Sequence, residues 1–199
     1  MTAPSTFERV YAAIKERLVS GDFRPGDRLE PIHLSEDLNS SVTPVRDALH
    51  RLTGERLVEA PKHEGFRVPV VSEVMLRWLY LWHRDLLLLA LASRALRTLS
   101  PSEGAIDDGR PVPVRSSFLK LAEISGNPEL AHALQSLRDR LGPFERIEAE
   151  LLDGFEDEAA AIAKATTDSD LRELRRLLAA YHRRRARIVP DLIATISQR

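Results

Sequence analysis

Residues 38–52 read LNSSVTPVRDALHRL, and their spacing suits a helix laid on DNA. Val45, Ala48, Leu49 and Leu52 fall at i, i+3, i+4 and i+7, the apolar stripe of a helix. Thr43, Arg46, Asp47 and His50 are left on the opposite side. An arginine there can bond a guanine edge with both arms or hold a phosphate. The stretch carries only two arginines, Arg46 and Arg51, and an acid among them. The chain's net charge of −1 is low for a protein that holds DNA by bulk electrostatics. Any DNA binding must therefore come from a local patch, doubled by dimerisation.

The elements around this stretch give it a setting. Phe7, Val10, Ile14 and Leu18 predict an amphipathic helix over 5–20, stopped by Gly21-Asp22-Phe23. Arg24-Pro25-Gly26-Asp27 makes a turn. A second helix starts at Pro31, faces Leu34 and Leu38 inward, and breaks at Asn39-Ser40-Ser41. Thr43 as cap with Pro44 at the first helical position starts the third. Leu57–Ala60 and Phe66–Val70 read as two short strands, with Pro61–Gly65 as the hairpin tip. Three helices and a β-hairpin are the layout of a winged helix-turn-helix, in which one helix enters the major groove and the hairpin reaches phosphates or minor groove. The plain alternative is a small α+β core with solvated charges.

From residue 72 only helical patterns remain: 72–100, 114–125, 128–154, 155–166 and 169–198. Gly142-Pro143 should interrupt the third of these, and Pro190 should kink the last. A polar Pro/Gly-rich loop fills 100–113. The expected fold is mainly α: a winged helix-turn-helix over 1–71 and an all-α bundle over 72–199. The 199 residues include no cysteine, which excludes disulfides and thiolate metal sites. No apolar run reaches the ~18 residues of a membrane span, and residues 1–20 lack the pattern of a signal peptide, so a cytoplasmic location is expected. An enzyme is not expected, for there is no G-x-S-x-G and no phosphate-cradling glycine loop. Glu156, Asp157 and Glu158 are adjacent on a helix, point different ways, and should meet solvent.

The segments VYAAIKERLVSGDFRPGDRL, LSEDLNSSVTPVRDAL and RLVEAPKHEGFRV resemble, in order, the DNA-binding domain of the GntR family of bacterial transcription regulators. The resemblance spans Phe7 to Val70. It implies a regulator, most simply a repressor, that binds a palindromic operator as a homodimer. It also implies phosphate contacts from Ser41 and Thr43, a base or phosphate contact from Arg46, a further one from His50, and a wing tip of Lys62, His63 and Gly65. Val42 stands where the family has an arginine, and Ile32 where a basic residue is frequent. Each lost arginine contact removes about 1–3 kcal/mol of base discrimination. Val42 either meets a thymine methyl or packs inward. Arg56 stands where the family has glycine, and Arg51, Arg56 and Arg67 read as solvated.

LYLWHRDLLLLALASRAL, SSFLKLAEISGNPEL and ATTDSDLRELRRLLAAYH resemble the helical effector-binding and dimerisation domain (FCD) of the FadR-like branch. Many members of that branch hold a divalent metal with one Asp and three His. The matching positions here are Arg115, Leu119, Ala159 and Tyr181, so no metal and no other cofactor is expected. The polar groups left to orient a small effector are Tyr80, His83, Arg115, Tyr181 and His182, and an arginine at 115 suits an organic acid. Tyr80 and Tyr181 suit a core or interface position better than a ligand contact, and His182–Arg185 reads as a solvated face, or else one that meets DNA or an acidic partner. The rival reading is a helical interaction protein with a vestigial winged helix and weak, sequence-blind DNA binding.

Overall fold

The structure, a computed structural model, describes residues 5–95 and 114–198. The loop expected over 100–113 and the helix end expected over 96–100 lie outside the described residues. The chain divides into two compact units. The first runs to Ser72 and also takes in Asp139–Ile147 and the stretch from Leu192; the second comprises Glu73–Arg138 and Glu148–Asp191.

In the first unit, α1 (Thr6–Ser20) begins under a cap in which Ser5 Oγ accepts from the Glu8 amide at 3.2 Å. It ends at Gly21, whose φ of +80° lets the chain reverse while its amide bonds back to the last turn. α2 (Pro31–Asp37) starts on its proline as expected, and Asn39 turns the chain with φ +47°. α3 (Val42–Gly54) packs on both α1 and α2. Val10, Ile14, Val45, Ala48, Leu49 and Leu52 are wholly buried together, which accounts for the helical spacing in the sequence.

Two local expectations are corrected. The cap position of α3 is Ser41, not Thr43, and Pro44 sits third in the helix. The amides of the whole first turn lack helical partners, so proline costs little at any of these positions. The expected β-hairpin is reduced to single pairs: Arg67 bridges both Arg28 and Glu59, and no longer strand forms among the described residues. Glu59 and Arg67 exchange both backbone hydrogen bonds, at 2.8 and 2.9 Å, and Leu29 donates to Phe66 at 2.9 Å. Pro61 and Pro69 flank this short ladder and have no amide with which to extend it.

The second unit holds α4 (Glu73–Ala95), α5 (Val114–Ser125), both ends of α6 (Pro128–Leu151), α7 (Phe155–Thr167) and most of α8 (Leu171–Gln198). α5 packs on α4 and α7. Leu76, Leu87, Leu91, Phe118, Leu121, Leu134, Ile162, Leu174, Leu178 and Val189 form its buried interior.

Contrary to expectation, Gly142-Pro143 does not interrupt α6, while α8 runs as one helix through Pro190, close to the expected 169–198. An interior proline costs about 3 kcal/mol. Burying Phe144 and Ile147, each about 2% exposed, returns roughly 1.5–3 kcal/mol apiece and holds the helix together. Asn127 caps its start, accepting from the amides of Glu129 and Leu130. Within the first unit, a Cβ added at Gly21 would stand 3.3 Å from the Pro143 carbonyl oxygen. Gly21→Ala should therefore lose more than the ~1–2 kcal/mol that a left-handed residue alone costs. Gly65, at φ +78° with open space around it, supplies the comparison. Urea midpoints of the two alanine variants should differ, with Gly21→Ala lower; equal midpoints would remove the Pro143 contact from this account.

Candidate nucleic-acid interface

The buried stripe of α3 fixes which residues it offers outward. Ser41, Thr43, Arg46, Asp47 and His50 are all exposed. Arg46 makes no hydrogen bond or ion pair with any described residue, so its guanidinium is available. Arg51, on the same helix, is instead used inside the domain. Its guanidinium lies over the Tyr11 ring at 4.1 Å and faces Glu8 and Glu55 at 3.6 Å each. The pattern of two arginines thus resolves into one outward and one structural.

Two contacts to Glu55 hold the C-terminal end of α3 on α1, and a third ties α1 to α6. Tyr11 donates its hydroxyl to Glu55 at 2.6 Å, and Lys15 Nζ reaches both Glu55 and Asp139 at 2.8 Å. The His50 ring meets Phe66 edge-on at 4.9 Å, which ties the outward face of α3 to the wing. At the wing tip Lys62, His63 and Gly65 are exposed, with His63 and Gly65 in left-handed backbone at φ +67° and +78°. Glu64 donates its amide to Pro61 and, with Glu59, binds Arg67 at 3.3 and 2.9 Å. Arg67 is therefore occupied by acids, whereas Lys62 has no such partner. Arg56 has φ +60°, the conformation that a glycine adopts without strain.

The residues expected to meet an effector fall inside the second unit, and four of them come together there. His83 Nδ1 lies 3.2 Å from His182 Nε2, and His182 Nδ1 lies 2.6 Å from the Leu178 carbonyl oxygen. Phe118 meets both the His83 and Tyr181 rings edge-on, at 5.0 and 5.2 Å. Tyr80 donates to Glu148 at 2.5 Å. The His83 Nε2 atom is buried and has no hydrogen-bond partner. Arg115 lies in the first turn of α5, and its side chain is outside the described residues.

The expected solvated face at His182–Arg185 is corrected. Arg183 is exposed, but His182 is 6% and Arg185 only 1% exposed. Arg185 donates to Glu148 and to Glu158 at 2.7 Å each and lies 3.3 Å over the Tyr181 ring. Arg184 also bonds Glu158, at 3.0 Å, so this acid is not left to solvent. A signal for this was present: Leu174, Leu178, Tyr181, Arg185, Val189 and Leu192 continue one helical stripe through the arginine. Among the described residues no three His, Asp or Glu side chains gather as metal ligands, and no helix is long and apolar enough to cross a membrane.

Comparison with known proteins agrees with this geometry. The chain is 34% identical over 90 residues to the HTH-type transcriptional regulator McbR of Escherichia coli, covering 45% of this chain and 40% of that one. It is 28% identical over 137 residues to the Nta operon transcriptional regulator of Aminobacter aminovorans, covering 62% and 65%. The matched stretches thus span less than two thirds of these relatives' length. The solved structure of E. coli McbR superposes with a TM-score of 0.74 over 95% of this chain and 99% of its own, at 23% identity. A GntR protein from Rhodococcus sp. RHA1 gives 0.69 over 98% and 99%, at 18% identity, so the helical half shares its fold with both. Residues 6–68, from α1 through the wing, match the profile described as bacterial regulatory proteins, gntR family, so this part of the chain is a GntR-like helix-turn-helix domain.

Proposed function

We propose that this chain is a ligand-responsive transcription regulator, a repressor that holds a palindromic operator as a homodimer. The observation that carries the reading is Arg46, exposed with Ser41 and Thr43 on the outward side of α3 and without a hydrogen-bond or ion-pair partner among the described residues. Two-fold symmetry would present two such faces to successive major grooves. The effector is a small organic acid received in the helical unit, where Arg115 would supply the charge for its carboxylate, and where Tyr80, His83, Tyr181 and His182 converge with His83 Nε2 left to accept from an effector hydroxyl. One known relative of the N-terminal domain, 35% identical over 63 residues, is the E. coli repressor GlaR.

Fluorescence anisotropy against the upstream region of the chain's own gene tests this. Arg46→Ala should weaken binding by about 1–3 kcal/mol, roughly tenfold or more, while the oligomeric state is unchanged. Binding should also fall steeply with salt as Lys and Arg displace counterions. The half-buried Val42 and the exposed Ile32, at places where the family carries basic residues, favour a second reading: an interaction protein with a vestigial head. Weak, sequence-blind binding indifferent to Arg46 would select it. A thermal-shift screen of small organic acids tests the effector.

A further inference from the structure

α8 buries one stripe and leaves the opposite one basic. Leu174, Leu178, Tyr181, Arg185 and Val189 are buried. Arg172, Arg175, Arg176, Arg183 and Arg187 are all exposed, and at helical periodicity they fall within about a third of the circumference. Arg176 is spent on Glu173, at 2.7 and 2.5 Å. The guanidinium groups of the other four make no hydrogen bond or ion pair with any described residue. The acids beside the row do not offset them. Asp168 binds Lys164, Asp170 caps the helix by accepting from the amides of Arg172 and Glu173, and Asp191 lies one turn past the row's end. Ala179 and Ala180, in the middle of the row, are too small to hold a partner away. Four free arginines on one line stand out in a chain whose net charge is −1.

The residue type and the spacing decide what meets the row. It is all arginine, whose planar fork matches phosphate oxygens. From Arg172 to Arg187 it runs about 22 Å, the rise of about six phosphates along one strand of duplex DNA. A membrane surface would call for apolar side chains inserted beside the charges, and the row has none. The winged helix also leaves a need, because Arg51 and Arg67 are bound to acids and cannot serve phosphates freely. We propose that the arginine row of α8 is a second DNA-binding surface, which grips the phosphates of duplex DNA without reading its bases. It rests on the reading of this chain as a DNA-binding regulator, and gives the helical unit a share of the electrostatics.

Anisotropy titration of the full chain against a labelled duplex of scrambled sequence, several helical turns long, tests this. Each phosphate contact adds about 0.9 to the slope of log affinity against log salt. A variant carrying Arg172→Gln, Arg175→Gln, Arg183→Gln and Arg187→Gln should lose about 3–4 of that slope per chain, and about tenfold or more in affinity at ~0.1 M salt. Lysine at the same four positions should keep most of the slope, because the charge stays. All four side chains are exposed, so both variants should keep the wild-type circular dichroism and melting curve. If the glutamine variant melts early, single Arg183→Gln and Arg187→Gln decide, each expected to cut the slope by about 0.9. A folded glutamine variant that binds scrambled duplex with the wild-type slope overturns the proposal. So does a row that governs binding to phosphatidylserine vesicles but not to duplex. Operator preference is scored separately, as the ratio of affinities for the upstream region and its scrambled copy. The glutamine variant should leave that ratio unchanged, whereas Arg46→Ala should lower it. Row-dependent binding without operator preference sinks the regulator reading and leaves this surface standing. Operator preference with a row-independent salt slope does the reverse.

Discussion

Arg185→Met is expected to lower the free energy of unfolding by about 3–5 kcal/mol, the largest loss of any substitution considered. The reason is what it leaves behind. Arg185 and the two acids it binds are almost wholly enclosed, with Arg185 1% and Glu148 3% exposed. One Glu148 oxygen accepts from Arg185 Nε and the other from the Tyr80 hydroxyl, so the carboxylate is satisfied on both sides. The second arm of Arg185 reaches Glu158, which Arg184 also binds. Two arginines and two glutamates balance in charge, and that balance makes their burial tolerable. Methionine fills similar space but leaves Glu148 buried with no cation. Lysine keeps the charge yet cannot bind both acids and cover the Tyr181 ring with one planar group. The neighbouring Arg183 is exposed, and Arg183→Ala should shift stability by no more than about 0.5 kcal/mol. Denaturant unfolding of the three variants checks the order. Pairing Arg185→Met with Glu148→Gln should recover part of the loss, since the two changes share one interaction. An Arg185→Met variant as stable as Arg183→Ala would show that the network contributes little.

The contrast between these two arginines shows what the sequence could and could not convey. A helix whose stripe is Val45, Ala48, Leu49 and Leu52 declares its buried face through residue type, so its outward face followed by subtraction. Arg185 lies on just such a stripe, but its type signals solvent, and its partner Glu148 is 37 residues away. Nothing local announces that pairing. The wing shows the opposite error. Its apolar and β-branched residues predicted two strands, but β-propensity measures packing on neighbours as much as backbone preference. Leu57 and Val58 are buried by joining the core of the first unit. Gly142-Pro143 misled in the same way, because the burial that carries α6 past the proline is not a local property.

Acid should destabilise the protein through its buried histidine pair, in a window set by His182. The Leu178 carbonyl can only accept, so His182 carries its hydrogen on Nδ1 and its Nε2 is an acceptor. His83 must then donate from Nδ1, which leaves its own Nε2 bare. Both rings are neutral in this arrangement. Burial strips solvation from an imidazolium; for His182 the bond to Leu178 works the other way, Arg185 adds repulsion, and the balance holds its pKa at about 4. Burial, then the charges of His182, Arg185 and Arg138, hold His83 well below the ordinary histidine range. In the unfolded chain both bind protons near pH 6.5, so there the unfolded state takes up protons that the folded state refuses. Stability from this source is complete above about pH 6.5 and is lost as pH falls toward 4. For His182 the loss is of the order of 3 kcal/mol across that window. His182→Gln should be less stable than wild type at pH 7.5, because the chain of hydrogen bonds is broken. Between pH 7 and 5 its urea midpoint should nevertheless fall less steeply. Parallel slopes for the two proteins would mean that acid acts elsewhere; Glu55 is not that place, because burial raises its carboxyl but Lys15, Tyr11 and Arg51 outweigh it and hold it below its usual range, so its contribution is lost only at lower pH.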